Sequence, residues 1–299
     1  MSKRFIVIGA GISGISACEL LLKKGKDVTL YDGNVNISAD DLIKKNDFLK
    51  DINIIIGDID EEAIRTFDKA IISPGIPLDI DIVKSIRKAN IPIWGEVELA
   101  YHYGKGSIVA ITGTNGKTTT TALTGDIFKA YFDDVRVVGN IGIPYTNMIE
   151  GSTLDTIFVA EISSFQLETI EKFKPNVSAI LNITPDHLNR HHTMENYINA
   201  KKDIVSNQDK NDTCILNYED EVLREFGEEI NCNVIYFSSE RVLEEGLYYD
   251  NGSIFYAKDG KVTKVIDVIK MSILGLHNYE NAMCGIAAGL TMGIPIDAI

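Results

Sequence analysis

Short runs of branched apolar residues recur along the chain, separated by stretches whose apolar positions return at helical spacing. Phe5-Ile6-Val7-Ile8 predicts a strand, residues 13–24 a helix, and Val28-Thr29-Leu30-Tyr31 the next strand. Asn53-Ile54-Ile55-Ile56 and Lys69-Ala70-Ile71-Ile72-Ser73 continue the series, the second ending in a Pro74-Gly75 turn. Strand and helix alternating at this spacing imply a parallel sheet with crossover helices. Ile91-Pro92-Ile93-Trp94-Gly95 carries the punctuation of a boundary. We therefore expect a first domain over residues 1–93 and a second over 94–299.

The second series opens with Ser107-Ile108-Val109-Ala110-Ile111, which feeds a glycine-rich loop and a Thr-rich helix start. Thr156 to Ala160 and Val177 to Leu181 are further buried-strand candidates. Between Gly246 and Val268 the pattern shifts to short strands around Asn251-Gly252 and Asp259-Gly260, which predict hairpins. The expected fold class is α/β: an N-terminal Rossmann-like parallel sheet, then a P-loop-type central ATPase α/β domain with an added small β region. There is no internal repeat and no low-complexity segment. The Ile294-Pro295-Ile296 connection near the last residue reads as a stop between domains.

Composition narrows the function classes. A chain of 299 residues is too long for one ordinary core, which supports two domains. With 45% apolar and 24% charged residues it has the balance of a soluble protein. No apolar stretch reaches the roughly 18 residues of a membrane helix, and the first residues lack a signal-peptide core. A cytoplasmic location without a membrane partner is the expectation. The four cysteines (Cys18, Cys214, Cys232, Cys284) form no CxxC pair and are expected as buried free thiols. A net charge of −14 argues against a nucleic-acid partner but not against a nucleotide held locally.

Two glycine loops carry the candidate chemistry. Gly9-Ala10-Gly11-Ile12-Ser13-Gly14 fits GxGxxG between a strand and a helix, with Asp32 ending the next strand. Such glycines permit a tight turn and bring a phosphate to a helix N-terminus. Taken alone the loop suggests NAD or FAD, so a Rossmann oxidoreductase is the alternative reading. The second loop, Thr112-Gly113-Thr114-Asn115-Gly116-Lys117-Thr118-Thr119, is more specific. Its backbone N–H groups can wrap phosphate oxygens, Lys117 can pair with the β/γ-phosphates, and Thr118 offers a hydroxyl to Mg²⁺. Ile111 occupies the first glycine position of GxxxxGK[ST]. Glu161 and His187 stand at two further predicted strand ends, where a carboxylate could reach the metal. His191 and His192 invite a zinc reading, which no cysteine supports. Lys201, by its spacing, is an ordinary exposed helix lysine. A non-catalytic nucleotide-binding module is the third reading.

The second loop resembles that of the Mur ligases of peptidoglycan synthesis, including the missing first glycine. Glu161-Ile162-Ser163-Ser164-Phe165-Gln166-Leu167-Glu168 is similar to the signature of the D-glutamate-adding branch of that family. Gly139-Asn140-Ile141-Gly142, Asp186-His187-Leu188, Tyr197 to Lys201 and Gly275 to Asn281 fall in the family's order. The resemblance covers the whole chain and reassigns the first loop to the UDP part of a substrate. It implies that Gly11, Ile12, Ser13, Asp32, Ser73, Pro74 and Gly75, with Asn140, Ser163 and Gln166, contact UDP-N-acetylmuramoyl-L-alanine. It implies that Gly113 to Thr119, with Asn278 and Asn281, bind ATP.

The same resemblance implies acyl-phosphate chemistry, in which ATP phosphorylates the substrate carboxylate and D-glutamate attacks. Lys117, Asn140, Glu161, His187 and Lys201 would be the catalytic group. Mg²⁺ would be held by Thr118, Glu161, His187 and a carbamylated Lys201. A bacterial, monomeric cytoplasmic enzyme of the cell-wall pathway follows, with the family's C-terminal, D-glutamate-binding domain absent from this chain and the fragment weakly active or inactive.

Overall fold

The structure is a computed structural model that describes residues 3–140 and 142–299; Ile141 of the Gly139–Gly142 motif lies outside the described residues. The chain forms two compact units.

The first unit holds a five-stranded parallel sheet in the order β3-β2-β1-β4-β5, with β1 at Arg4–Ile8, β2 at Asp27–Asp32, β3 at Asn53–Ile56, β4 at Lys69–Ile72 and β5 at Ile93–Gly95. Phe5 to Ile8 are all buried, as a strand covered on both faces requires, so its sequence reads as a continuous apolar run. Ile6, Ile8, Ala70 and Ile72 pack with Val83 and Ile86 of helix Asp81–Lys88 on one side. The strand order reverses around β1, with β2 on one flank and β4 on the other, which opens a crevice at the carboxyl ends of the strands. The unit does not stop at the Ile91–Gly95 punctuation. It continues through helix Glu96–Tyr103 to Gly104, and it takes in Ile143–Gly151 and Phe165–Phe173 from further along the chain.

The second unit is built on a nine-stranded sheet in the order β14-β13-β12-β11-β10-β9-β6-β8-β7. Its strands are β6 (Ser107–Thr112), β7 (Val135–Gly139), β8 (Ile157–Glu161), β9 (Val177–Ile180), β10 (Thr213–Asn217), β11 (Asn233–Ser238), β12 (Gly246–Asp250), β13 (Ser253–Lys258) and β14 (Lys261–Asp267). Val109, Ile111, Val159, Val177, Ala179 and Ile215 share a core with Met283, Ile286 and Ala287 of helix Leu276–Thr291. Fully burying one such side chain is worth about 1.5–3 kcal/mol, so this layer fixes where the strand ends stand.

The expected small β region is the edge of this same sheet. β12 runs parallel to β11, and the two hairpins then add β13 and β14 antiparallel. Asn251 and Gly252 have φ of 45° and 82°, and Asp259 and Gly260 have 52° and 71°. Paired positive φ values are what a two-residue hairpin turn demands, and Asn-Gly and Asp-Gly supply them at least strain. Among the described residues no helix is long and apolar enough to cross a membrane. All four cysteines are buried and unbridged.

Candidate active site

In the first unit, β1 runs into the glycine loop and helix Ile12–Lys23 leaves it. Gly9 has φ 100°, and a Cβ on Gly14 would lie 1.9 Å from the Gly9 carbonyl oxygen, so both glycines are required by the turn itself. Asp32 accepts a hydrogen bond from the Ala10 N–H at 2.8 Å, and a second from the Asn34 N–H at 2.9 Å. The Ser73 hydroxyl reaches the Gly9 carbonyl at 3.3 Å. Gly11 and Ile12 are exposed, Ile12 by 74%, and Pro74-Gly75 continue the turn beside Ser73. The predicted residues of this loop, Asp32 and Ser73 are thus gathered at one sheet edge. Ser163 belongs to the second unit and Gln166 to the first.

In the second unit, β6 delivers the chain into the other loop. Gly116, with φ 83°, caps helix Lys117–Lys129, and a Cβ there would lie 2.6 Å from Asn281 Oδ1. Asn281 is buried and accepts from the Thr120 hydroxyl at 3.0 Å, while its amide nitrogen meets Asn278 Oδ1 at 3.4 Å. The two asparagines, three residues apart on helix Leu276–Thr291, therefore stand on one face against the loop. Asn115 and Asn182 exchange hydrogen bonds at 2.8 and 3.1 Å. The Thr114 hydroxyl lies 3.0 Å from the Tyr197 hydroxyl and 3.1 Å from the Thr184 carbonyl. Thr118 and Thr119 are exposed in the helix's first turn.

Two lysines meet at this loop. Lys117 Nζ donates to the carbonyls of Gly113 and Thr114, both at 2.9 Å, and Lys201 Nζ donates to Gly113 at 2.7 Å. Spacing suggested an exposed Lys201, but the structure buries it to 2% exposure. Tyr197, Ala200 and Lys201 form the inward stripe of helix Met194–Lys202, and the lysine's ammonium sits 4.7 Å from the Tyr197 ring centre. Burial, and then the nearby Lys117 charge, lower the Lys201 amine to about 7. Burial also lowers Lys117, partly opposed by the charges of Glu161 and Asp186. A lysine near 7 holds a substantial neutral fraction at neutral pH, which an amine needs before it can take up CO₂.

Glu161 ends β8 almost fully buried, and its Oε1 accepts from the Asn140 side-chain amide at 3.0 Å. The Asn140 N–H also binds the Glu161 carbonyl at 2.8 Å. A Cβ on Gly139 would lie 2.1 Å from that carbonyl, so glycine is what lets the strands approach. His187 adopts φ 52° at the start of helix Leu188–His191, half exposed, 3.5 Å from Asp186.

Three residues to which sequence reasoning assigned no site role stand around this loop. Asp186 sits within electrostatic reach of both lysines. His191, weighed above as a zinc ligand, is 3% exposed, with Nε2 3.0 Å from the Ser164 hydroxyl and its ring 5.2 Å from that of Tyr197. Tyr197 continues that line to the Thr114 hydroxyl. The (i, i+4) spacing of Tyr197 and Lys201 was the available signal for a shared buried face.

Among the described residues no group of three or more His, Cys, Asp or Glu could hold a metal ion. The Thr118 hydroxyl and the Glu161 carboxylate are nevertheless the hard oxygen donors that Mg²⁺ prefers. Mg²⁺ is commonly bound by one or two carboxylates, water and a nucleotide's phosphates rather than by a protein cage, so this donor set fits it.

A parallel-sheet unit and an α/β unit, each with a glycine loop that runs from a buried strand into a helix and the second carrying a lysine, define a two-unit α/β architecture. The Mur ligase middle domain matches residues 111–289, and the N-terminal domain of the MurD-like Mur ligases matches residues 3–95. The chain belongs to the Mur ligase family. It is 52% identical over its whole length to the UDP-N-acetylmuramoylalanine–D-glutamate ligase of Lachnoclostridium phytofermentans, and 51% identical to that of Lachnospira eligens. It spans 66% of the length of each of those relatives.

Among solved structures it is similar to a UDP-N-acetylmuramate:L-alanyl-gamma-D-glutamyl-meso-diaminopimelate ligase from Neisseria meningitides. That match has a TM-score of 0.64 at 18% identity and covers 100% of this chain and 96% of the other. The MurF ligase of Thermotoga maritima in complex with ADP matches at a TM-score of 0.53 and 17% identity, over 99% of this chain and 62% of that one. These two likenesses bear on the fold.

Proposed function

We propose that this chain supplies two domains of an ATP-dependent ligase that adds D-glutamate to UDP-N-acetylmuramoyl-L-alanine in peptidoglycan precursor synthesis. The first unit is the UDP-substrate domain and the second the ATP domain, so the boundary expected at residue 93 moves to Gly104. The enzyme works as a monomer in the bacterial cytoplasm. The observation that carries this reading is the convergence of Lys117 and the buried Lys201 on the Gly113 carbonyl.

A carboxylate is a poor acyl donor, because its leaving group would be oxide. Transfer of the γ-phosphoryl of ATP to it supplies a leaving group that the D-glutamate amine can displace as phosphate. Lys117, released from its own loop's carbonyls, neutralises charge on the transferring phosphoryl, and the N–H groups at the start of helix Lys117–Lys129 bind phosphate oxygens. Asn140 holds the Glu161 carboxylate in place, and Asn278 and Asn281 line the adenine side of the loop. Thr118, Glu161, His187 and Lys201, the last as its carbamate, are the groups that would hold Mg²⁺, whose charge would favour phosphoryl transfer when bound. Carbamylation turns Lys201 from a competing cation into an oxygen-bearing anion.

The first loop takes the UDP end of the substrate, with Gly11, Ile12 and Ser13 at the diphosphate and Asp32 and Ser73 beside it. It does not bind NAD or FAD. ADP release is the test: we expect release that depends on both UDP-N-acetylmuramoyl-L-alanine and D-glutamate from a protein that also carries the remaining third of its relatives' length, and little from the 299-residue chain. Dependence on neither substrate would refute the reading. NAD binding as tightly as the UDP substrate would refute the loop assignment.

A further inference from the structure

We propose that Trp94-Gly95-Glu96-Val97-Glu98 is a clamp whose two buried carboxylates position the chain segments on either side of the strand that carries Glu161. The consequence for turnover rests on the function proposed above; the positioning itself does not.

The Glu98 side chain is 1% exposed and accepts from three consecutive backbone N–H groups. They are those of Glu171 at 2.9 Å, Lys172 at 3.0 Å and Phe173 at 2.9 Å. Three successive N–H groups make an anion-binding concavity, and a carboxylate fills it with acceptors alone. An amide would aim its own NH₂ at one of those donors.

Glu96, 2% exposed, accepts from the Thr146 N–H at 2.6 Å and the Thr146 hydroxyl at 2.7 Å. Burial pushes this carboxyl upward, and the Thr146 and Tyr145 donors pull it back. Thr146 Oγ1 is in turn 2.5 Å from the Ser16 hydroxyl, on the helix that leaves the first glycine loop, and Ser16 also bonds the Asn147 side chain.

The neighbours of the two glutamates complete the grip. The Trp94 indole N–H donates to Glu171 at 2.5 Å, and the Gly95 N–H to the Thr169 carbonyl at 3.1 Å. A Cβ on Gly95 would stand 2.2 Å from Thr169 Oγ1, so glycine is what permits that contact. Both glutamates occupy the first turn of helix Glu96–Tyr103, where the helix dipole favours negative charge.

The held segments are Ile143–Gly151 and Phe165–Phe173. The first begins three residues after Asn140, and the second four residues after Glu161. A shift in either segment is therefore passed along a few covalent links to Asn140, Glu161, Ser163 and Ser164. Burying two carboxylates is costly, and apolar packing would hold a merely structural turn at least as well. Directional hydrogen bonds fix the segments' register as well as their presence.

Hydrogen exchange on the 299-residue chain, comparing parent, Glu98→Gln and the milder Trp94→Phe, tests the clamp. We expect protection to fall about tenfold at amides 171–173 and also across 162–167 in Glu98→Gln, with a smaller rise in exchange over the same amides in Trp94→Phe. In the longer protein Glu98→Gln should lower kcat about tenfold while leaving KM for ATP within about twofold, the mark of misplaced rather than missing groups. Exchange changes confined to 171–173 in both variants, with parental kcat, would overturn the proposal. A parent without D-glutamate-dependent ADP release would instead overturn the proposed function, and exchange at 162–167 would still decide the clamp.

Discussion

The two glycine loops share a backbone plan and differ in charge. Each follows a buried strand, opens a helix and has glycines where a Cβ would strike backbone or a neighbouring side chain. The first loop is tied down by a carboxylate, Asp32, and no lysine or arginine occurs between Gly9 and Lys23. The second collects two amines on one carbonyl. Glycine spacing therefore encodes the turn, while the side chains that converge on it decide which ligand it suits. A lysine at a helix N-terminus, beside a second lysine whose lowered pKa suits it to carbamylation, suits a transferring phosphoryl group and its Mg²⁺. A site with backbone donors at a helix N-terminus and one carboxylate suits a diphosphate on the N–H groups with hydroxyl groups beside the carboxylate.

The comparison breaks most sharply at Gly14. Gly14→Ala forces a methyl into the Gly9 carbonyl and should destabilise the first unit by about 3 kcal/mol. Mg-ATP binding by calorimetry should survive wherever the second unit stays folded; an unchanged thermal midpoint would mean that the turn relaxes freely.

Lys117→Ala comes next. It should weaken Mg-ATP by roughly 1.5–3 kcal/mol, the worth of a charge-assisted hydrogen bond, and leave the affinity for the UDP substrate unaltered. Parental ATP affinity would contradict the phosphate role.

A third test uses pH. Folded Lys201 holds its proton only up to about 7, whereas the unfolded chain keeps it to roughly 10.4. Below the lower value the folded protein carries a buried ammonium. Between the two values the unfolded state binds more protons, so this residue makes stability rise with pH, by at most about 1.4 kcal/mol per unit. Denaturant titrations from neutral to mildly alkaline pH should show that rise in the parent and a flatter curve in Lys201→Met. Parallel curves would show Lys201 to be charged throughout.

Asp32→Asn is the mildest change. It keeps an acceptor for Ala10 and should cost the UDP substrate about 1 kcal/mol, with ATP unaffected.

The strands were legible because a doubly covered sheet needs uninterrupted apolar runs, and the hairpins because Asn-Gly and Asp-Gly suit their turns. Glu161 and Lys117 were legible as residues at the ends of such runs. Lys201 was named only through the family resemblance, and its burial not at all, because that depends on which face of a short helix meets Gly113, and that is set 88 residues away. The parts played by Glu96 and Glu98 were hidden for the same reason. Glutamates at the start of a helix are ordinary surface residues until one knows that amides 50 to 75 positions later come back to them. Punctuation at Ile91–Gly95 likewise suggested a boundary, where the first unit continues to Gly104.

That return of the chain has a consequence for biosynthesis. The ribosome releases residues in order, yet Glu98 waits for Phe173, and Ser16 for Thr146, which is 130 positions later. A nascent chain of about a hundred residues can pair its five parallel strands while two glutamates meant for the interior remain solvated and helices Ile12–Lys23 and Glu96–Tyr103 lack the segment that packs on them. Contacts so distant in sequence are slow to form. The first unit therefore cannot finish folding before much of the second has been synthesised, and a translational pause before Phe173 would leave it exposed to proteases and chaperones.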